Sequence, residues 1–167
     1  LVGQDYELLQ YLFFLVGPND EVRQTYESHI AQHLPLAAVR RVEGNPGYGP
    51  TQNAAARLVE GDNGLFLFLH DDVCLASNAV SELVTELSRS NAAVVGPKLV
   101  QWDDPSLLQH VGMGVDRCGE IDPIVLPGEK DQQQHDAVAD VFCLPSACLL
   151  VRSDLFRTLG GFHPDIT

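Results

Sequence analysis

Residues 65–73 read LFLFLHDDV, an apolar run that stops abruptly at His70, Asp71 and Asp72. Such a run, bounded by polar residues, reads as a buried strand, apolar on both faces as an interior parallel strand requires. In open α/β sheets, ligands bind just past the carboxyl ends of the strands, which is where the two acids fall. Two like unit charges about 4 Å apart repel by roughly 4 kcal/mol at an effective dielectric near 20, so the pair calls for a proton or a cation. A divalent ion is the economical choice, because hard cations take carboxylate and phosphate oxygens. The plainer reading is an acid pair in a turn that caps the next helix. Position favours the site: an apolar strand stands before the acids, and Val73 and Leu75 lead back inside.

Upstream, residues 11–16 (YLFFLV) form a second run apolar on both faces. The turn Gly17-Pro18-Asn19-Asp20 then caps a helix beginning near Glu21, with Val22, Tyr26, Ile30 and Ala31 on one face. His29 and His33 have a metal-ligand spacing on that helix but no carboxylate partner, so they read as solvated side chains. Residues 1–10 have the pattern of the last turns of a helix, and residues 36–42 that of a short strand. Gly44-Asn45-Pro46-Gly47-Tyr48-Gly49-Pro50 reads as a loop. Thr51 follows as the cap of a helix from Gln52 to about Glu60, with Ala54, Ala55, Ala56, Leu58 and Val59 inward. A glycine-rich loop feeding a helix N-terminus can accept an anion, although such loops are as often mere punctuation.

Downstream, Ser77 or Asn78 caps a helix to about Arg89 with Val80, Leu83, Val84 and Leu87 inward. Residues 92–96 form a short strand, and Lys98 follows Gly96-Pro97 at its end, where a lysine can meet a phosphate but more often is simply exposed. Residues 107–115 and 121–126 read as a hairpin broken at Arg117-Cys118-Gly119. His135 and Asp136 lie in the polar segment GEKDQQQHD (128–136), whose plainer reading is a solvated loop. Residues 141–144 return to strand character, and Ser153 caps a short helix ended by Gly160-Gly161. Ser146 lacks a GxSxG elbow and an evident base, so a serine-hydrolase reading has little support. The order predicts an α/β fold: a mostly parallel sheet flanked by helices, a small antiparallel part in the second half, and one domain over residues 1–167.

The net charge of −13, from 23 acidic and 10 basic side chains, argues against a phosphate-backbone binder, which needs a basic face, and no nucleic-acid partner is expected. It leaves room for one nucleotide bound through a metal. Cys74, Cys118, Cys143 and Cys148 form no CxxC pair and read as buried, reduced thiols rather than disulfides or zinc ligands. No run of about 18 apolar residues and no signal peptide is present. Both ends look cut from something longer, which leaves room for a membrane-bound remainder.

Taken in order, VGPND, NPGYGPTQNAA, LFLHDDV, VVGPKL and DVFCLPSACLLVRSDLFRTLGGFHPDI resemble glycosyltransferase family 2, the nucleotide-sugar-dependent inverting transferases of the GT-A fold. LHDD, GPKLVQWDDP and GEKDQQQHD together are similar to actinobacterial cell-envelope members, which often have membrane-spanning portions. The resemblance covers nearly the whole chain. It implies that Asp71 and Asp72, in the family's DxD-type position, contact the donor ribose and a diphosphate-bound Mn²⁺ or Mg²⁺, with Asp72 the direct ligand. Asp20, Gly47, Gly49 and Asn53 fall on the nucleotide side, and Lys98, His135 and Asp136 at a pocket edge. The partners implied are a nucleotide-diphosphate sugar and a glycan or lipid-linked acceptor, the domain lying on the cytoplasmic face of the plasma membrane. Gly17 replaces the usual uracil-contacting Asp, Gln52 the common Arg, and His163 the Asp of the G-G-F-D-P turn. The family's first strand is expected before Leu1 and its acidic catalytic-base motif after Thr167, so the stretch by itself is expected to be inactive.

Two rivals remain. A degenerate transferase-like interaction or assembly module accommodates the Gly17 and Gln52 departures. A phosphoryl-receiver domain also binds Mg²⁺ at an acid pair, but it wants that pair after its first strand.

Overall fold

A computed structural model describes residues 1–17, 19–61 and 63–164. Pro18 of the first turn, Asp62 of the turn before residue 65, and residues 165–167 at the end of GGFHPDIT lie outside the described residues. The chain divides into two compact units: residues 1–64, 75–80 and 153–167 form the first, and residues 65–74 and 81–152 the second.

In the first unit, β1 (Leu12–Val16) pairs in parallel with β2 (Ala38–Val42), Leu12 opposite Ala38 and Val16 opposite Val42. The helix between them, α1 (Asp20–His33), starts at the expected cap: Asn19 accepts from the Glu21 and Val22 N–H groups. Its apolar face is not inward, however. Val22 and Tyr26 are exposed, and no residue of α1 is buried. Polar links hold it instead, with Arg41 donating twice to Glu27 at 2.7 Å and Arg23 donating to the Val42 carbonyl at 3.0 Å. His29 and His33 are exposed with their rings 4.4 Å apart.

Residues 1–10 form no helix. They are tied instead to the segment ahead of α3 (Ala79–Ser90): Asp5 N–H donates to the Ser77 carbonyl, and Gln4 accepts from Val80 N–H and donates to the Ala76 carbonyl. Gln4 thus takes one of the orphan donors at the start of α3.

Helix α2 spans Tyr48–Arg57, beginning three residues before the expected Thr51 cap. Gly47 supplies the break, with φ +92°, a conformation that side-chain-bearing residues rarely adopt. Pro50 is tolerated because N–H groups of a first turn have no intrahelical acceptor. Thr51 is buried inside the helix, and its hydroxyl donates back to the Gly47 carbonyl at 2.7 Å. Of the expected inward residues only Ala56 is buried; Ala54, Leu58 and Val59 are exposed.

The second unit is built on β9 (Cys148–Arg152), the central strand between β3 (Leu65–Leu69) and β4 (Val94–Val95), antiparallel to both. Its Cys148, Leu150 and Val151 are 0, 2 and 4% exposed. The LFLFL run is therefore a strand as read, but its shown pairing is antiparallel. Among the described residues, parallel pairing is confined to β1 and β2, so the expected mostly parallel sheet is not seen. A short apolar run fixes neither the direction nor the identity of its partner. Val80, Leu83 and Leu87 of α3 are buried, as the helical stripe predicts.

The expected hairpin is seen only at its inner end, across residues 113–115 and 121–123, while residues 108–110 pair elsewhere. β5 (Leu99–Val100) takes β6 (Leu108–His110), and β7 (Met113–Val115) takes β8 (Ile121–Pro123). Asp116 closes the second turn by accepting from the Cys118 and Glu120 N–H groups, both at 2.8 Å. Residues 141–144 contribute one isolated bridge, Cys143 to Met113, rather than a strand. All four cysteines are free. Cys148 is buried, which pushes its thiol up to about 11, but Cys74 and Cys118 are exposed, contrary to expectation.

Back in the first unit, α4 (Ser153–Thr158) begins at a 1% exposed Ser153 that accepts from Gly64 N–H at 3.1 Å while donating its own N–H to the Gly64 carbonyl. It ends at Gly160-Gly161, as expected.

Candidate functional site

The ladder between β3 and β9 sets Leu69 opposite Cys148 and continues one residue further, His70 N–H donating to the Ala147 carbonyl at 3.0 Å. Beyond it Asp71 and Asp72 turn away from the strand, both exposed. Neither carboxylate has a hydrogen-bond or ion-pair partner among the described residues. Two adjacent acids with no counter-charge suit a hard divalent ion, and the donor set sets limits on how it is held. No group of three or more His, Cys, Asp or Glu side chains is placed to hold a metal among the described residues. Such ions commonly bind through one or two carboxylates, completed by water and substrate phosphates. The acids present fit that arrangement.

One contact here was not legible in the sequence. His70 Nε2 lies 3.2 Å from Ser146 Oγ, 76 positions away, in the segment that enters β9. Only the strand pairing reveals it.

In the same unit, Lys98 Nζ donates to Asp131 Oδ2 at 2.7 Å and to Asp136 Oδ1. His135 instead faces Glu129, 3.3 Å from Oε1. Segment 128–136 is therefore pinned by an ion-pair knot rather than freely solvated. The Lys98 ammonium holds the Asp131 carboxyl below its usual value, helped by the Gln133 N–H, and the two acids raise Lys98, Asp131 most. A carboxylate whose native pKa is lowered stabilises the fold above its unfolded value, about 3.9, and the contribution is lost as pH falls through the native one. Lys98→Met is therefore expected to lower the urea midpoint at pH 7 and to leave it nearly unchanged at about pH 2. An equal loss at both pH values contradicts the ion-pair role.

The other expected donor-side residues lie in the first unit. Asp20 is exposed in the first turn of α1, 3.3 Å from Arg23. Gly47 precedes α2, and Gly49 is buried in its first turn. Asn53 is engaged from both ends of its amide: Nδ2 donates to the Phe162 carbonyl at 2.8 Å, and Oδ1 accepts from Phe162 N–H at 2.9 Å. A Cβ on Gly161, at φ +84°, would lie 2.2 Å from Asn53 Oδ1, so this clamp requires glycine there. The Phe162 ring packs edge-on against Tyr48 and Phe156, at 5.5 and 5.3 Å. Asn53→Ala is expected to cost about 1–3 kcal/mol in chemical denaturation, because it leaves a backbone N–H and carbonyl unpaired. Unchanged stability would mean the amide serves only a ligand.

A cavity of about 500 Å³ in this unit is lined by Asn53, Ala56, Phe156, Arg157, Gly160 and their neighbours, and by neither acid of the pair. Arg157 reaches across the end of α2 to the carbonyls of Ala56, Val59 and Gly61. A guanidinium there caps the helix and complements its dipole.

No helix of the described residues is long and apolar enough to cross a membrane. A search of curated proteins finds no match. The family model described as "Glycosyl transferase family 2" matches residues 1–160. That match implies a GT-A-like α/β fold and transfer of a sugar from a nucleotide-sugar donor to an acceptor. The chain belongs to glycosyl transferase family 2.

Proposed function

We propose that this chain is a metal-dependent, inverting glycosyltransferase domain. It moves a hexosyl-type sugar from a nucleotide-diphosphate donor to a glycan or lipid-linked acceptor in cell-envelope polysaccharide biosynthesis, at the cytoplasmic face of the membrane. The observation that carries the reading is the pair of exposed carboxylates after β3, adjacent and without counter-charge. Asp72 is the direct ligand of Mn²⁺ or Mg²⁺, and Asp71 shares the ion or holds the donor ribose. When bound, the ion neutralises charge growing on the departing diphosphate.

Asp20, Gly47, Gly49 and Asn53 serve the donor nucleotide in this reading. The Asn53 amide keeps one N–H and one lone pair beyond those spent on Phe162. Lys98, His135 and Asp136 border the pocket, their segment fixed by the knot described above. Inversion by single displacement needs a base to take the acceptor hydroxyl's proton. No residue of these 167 is assigned that role.

Calorimetric titration of Mn²⁺ and nucleotide sugars into the protein and into Asp72→Ala tests the reading. Metal-dependent donor binding that the substitution removes supports the enzyme. Absence of binding by either favours a transferase-like assembly module.

A further inference from the structure

Asp71 and Asp72 have no partner of their own among the described residues, so nothing attached to their carboxylates holds them in place. Their placement depends on the backbone that delivers them. The last residue before them is His70, and it is fastened twice to the lead-in of β9. Its N–H donates to the Ala147 carbonyl at 3.0 Å, and its Nε2 lies at hydrogen-bond distance from Ser146 Oγ, 3.2 Å. The anchor is firm, because β9 is the central strand of its sheet and its first residue, Cys148, is fully buried. With Leu69 opposite Cys148, the continued register sets Asp71 opposite Ser146. The side-chain bond is therefore made at the point where the ladder ends and the acid turn begins.

We propose that His70 and Ser146 are positioning residues for the acid pair: their side-chain hydrogen bond extends the β3–β9 ladder and presets the direction in which Asp71 and Asp72 leave it. This deepens the function proposed above and rests on those acids holding a divalent ion. The bond forms in either imidazole tautomer, since a serine hydroxyl both donates and accepts. Groups that orient metal ligands without touching the metal typically change metal affinity about 10–100-fold when removed. An acid pair that otherwise samples several turn conformers binds an ion more weakly by the fraction of time it is misplaced.

The test is titration of Mn²⁺ alone into the protein, following the electron paramagnetic resonance signal of the free ion. Ser146→Ala and His70→Ala are each expected to weaken Mn²⁺ binding about tenfold, and the double variant no more than the weaker single one. Ser146→Thr, which keeps the hydroxyl, and His70→Gln, which places an amide near the position of Nε2, are expected to return within about threefold of the parent. Rescue by these two separates hydrogen bonding from loss of packing. If all four bind Mn²⁺ like the parent while Asp72→Ala does not, positioning is refuted and the metal-holding reading stands. If the conservative variants fail to rescue a loss seen in the alanine ones, positioning is likewise refuted. If Asp72→Ala binds as the parent does, both fall together.

Discussion

In the intact protein, Asp72→Ala is expected to reduce sugar transfer at least about a hundredfold, equivalent to roughly 2.7 kcal/mol of barrier, with thermal stability unchanged. The acid lies exposed past the end of β3 and makes no hydrogen bond or ion pair with another described residue. Its loss therefore leaves packing alone and falls on the ion. One carboxylate in place of two weakens a site beside which no third His, Cys, Asp or Glu is grouped among the described residues. It also leaves the charge developing on a departing diphosphate less well neutralised. Asp72→Asn keeps the shape and a ligand oxygen but drops the charge, so it is expected to fall between the two. Initial rates measured across a Mn²⁺ titration separate the effects, because higher metal rescues lost affinity but not a lost role in the transition state. A variant within threefold of the parent at every metal concentration would place the ion elsewhere.

The largest effect on stability is expected at Leu150→Ala. Leu150 is 2% exposed in the central strand β9, opposite Leu67 on one side and Val95 on the other. Truncating a leucine so placed removes transfer free energy and leaves a cavity, together about 2–5 kcal/mol. That is a large share of the roughly 5–15 kcal/mol that holds a typical domain folded. Leu126→Ala, at a 66% exposed side chain, is the matched control and is expected to cost less than about 0.5 kcal/mol. Urea melts of the two decide the matter. A loss below about 1 kcal/mol at Leu150 would mean that β9 is not the strand on which the second unit depends.

Local signals in the chain were read well. The LFLFL run is β3, Asn19 caps α1, the spacing of Val80, Leu83 and Leu87 matches a buried helix face, and Gly160-Gly161 ends α4. Each depends on residues a few positions apart. What escaped depends on distance or on competing uses of one residue type. His70 meets Ser146 across 76 positions, and Asn53 meets Phe162 across 109, with no local motif to announce either. Lys98 finds its acids 33 and 38 positions on, in a segment whose composition suggests only solvation. Gly47 and Pro50 look like loop punctuation, yet the same residues suit the start and first turn of a helix, so α2 begins earlier than its hydroxyl cap suggests. Val22 and Tyr26 share a helix face that the structure leaves exposed, because spacing reports a stripe and not what covers it. For the site, the acid pair was visible from its place after an apolar strand. The His70–Ser146 contact beside it was not.

The most direct measurement is the manganese anomalous signal from crystals of the protein grown with Mn²⁺ and a nucleoside diphosphate. The expected result is a peak about 2.1 Å from a carboxylate oxygen of Asp72, with the diphosphate supplying further oxygens to the same ion. A peak at other residues, with the Asp71 and Asp72 side chains left in solvent, would contradict the assignment of these acids as the grip on the donor's cation.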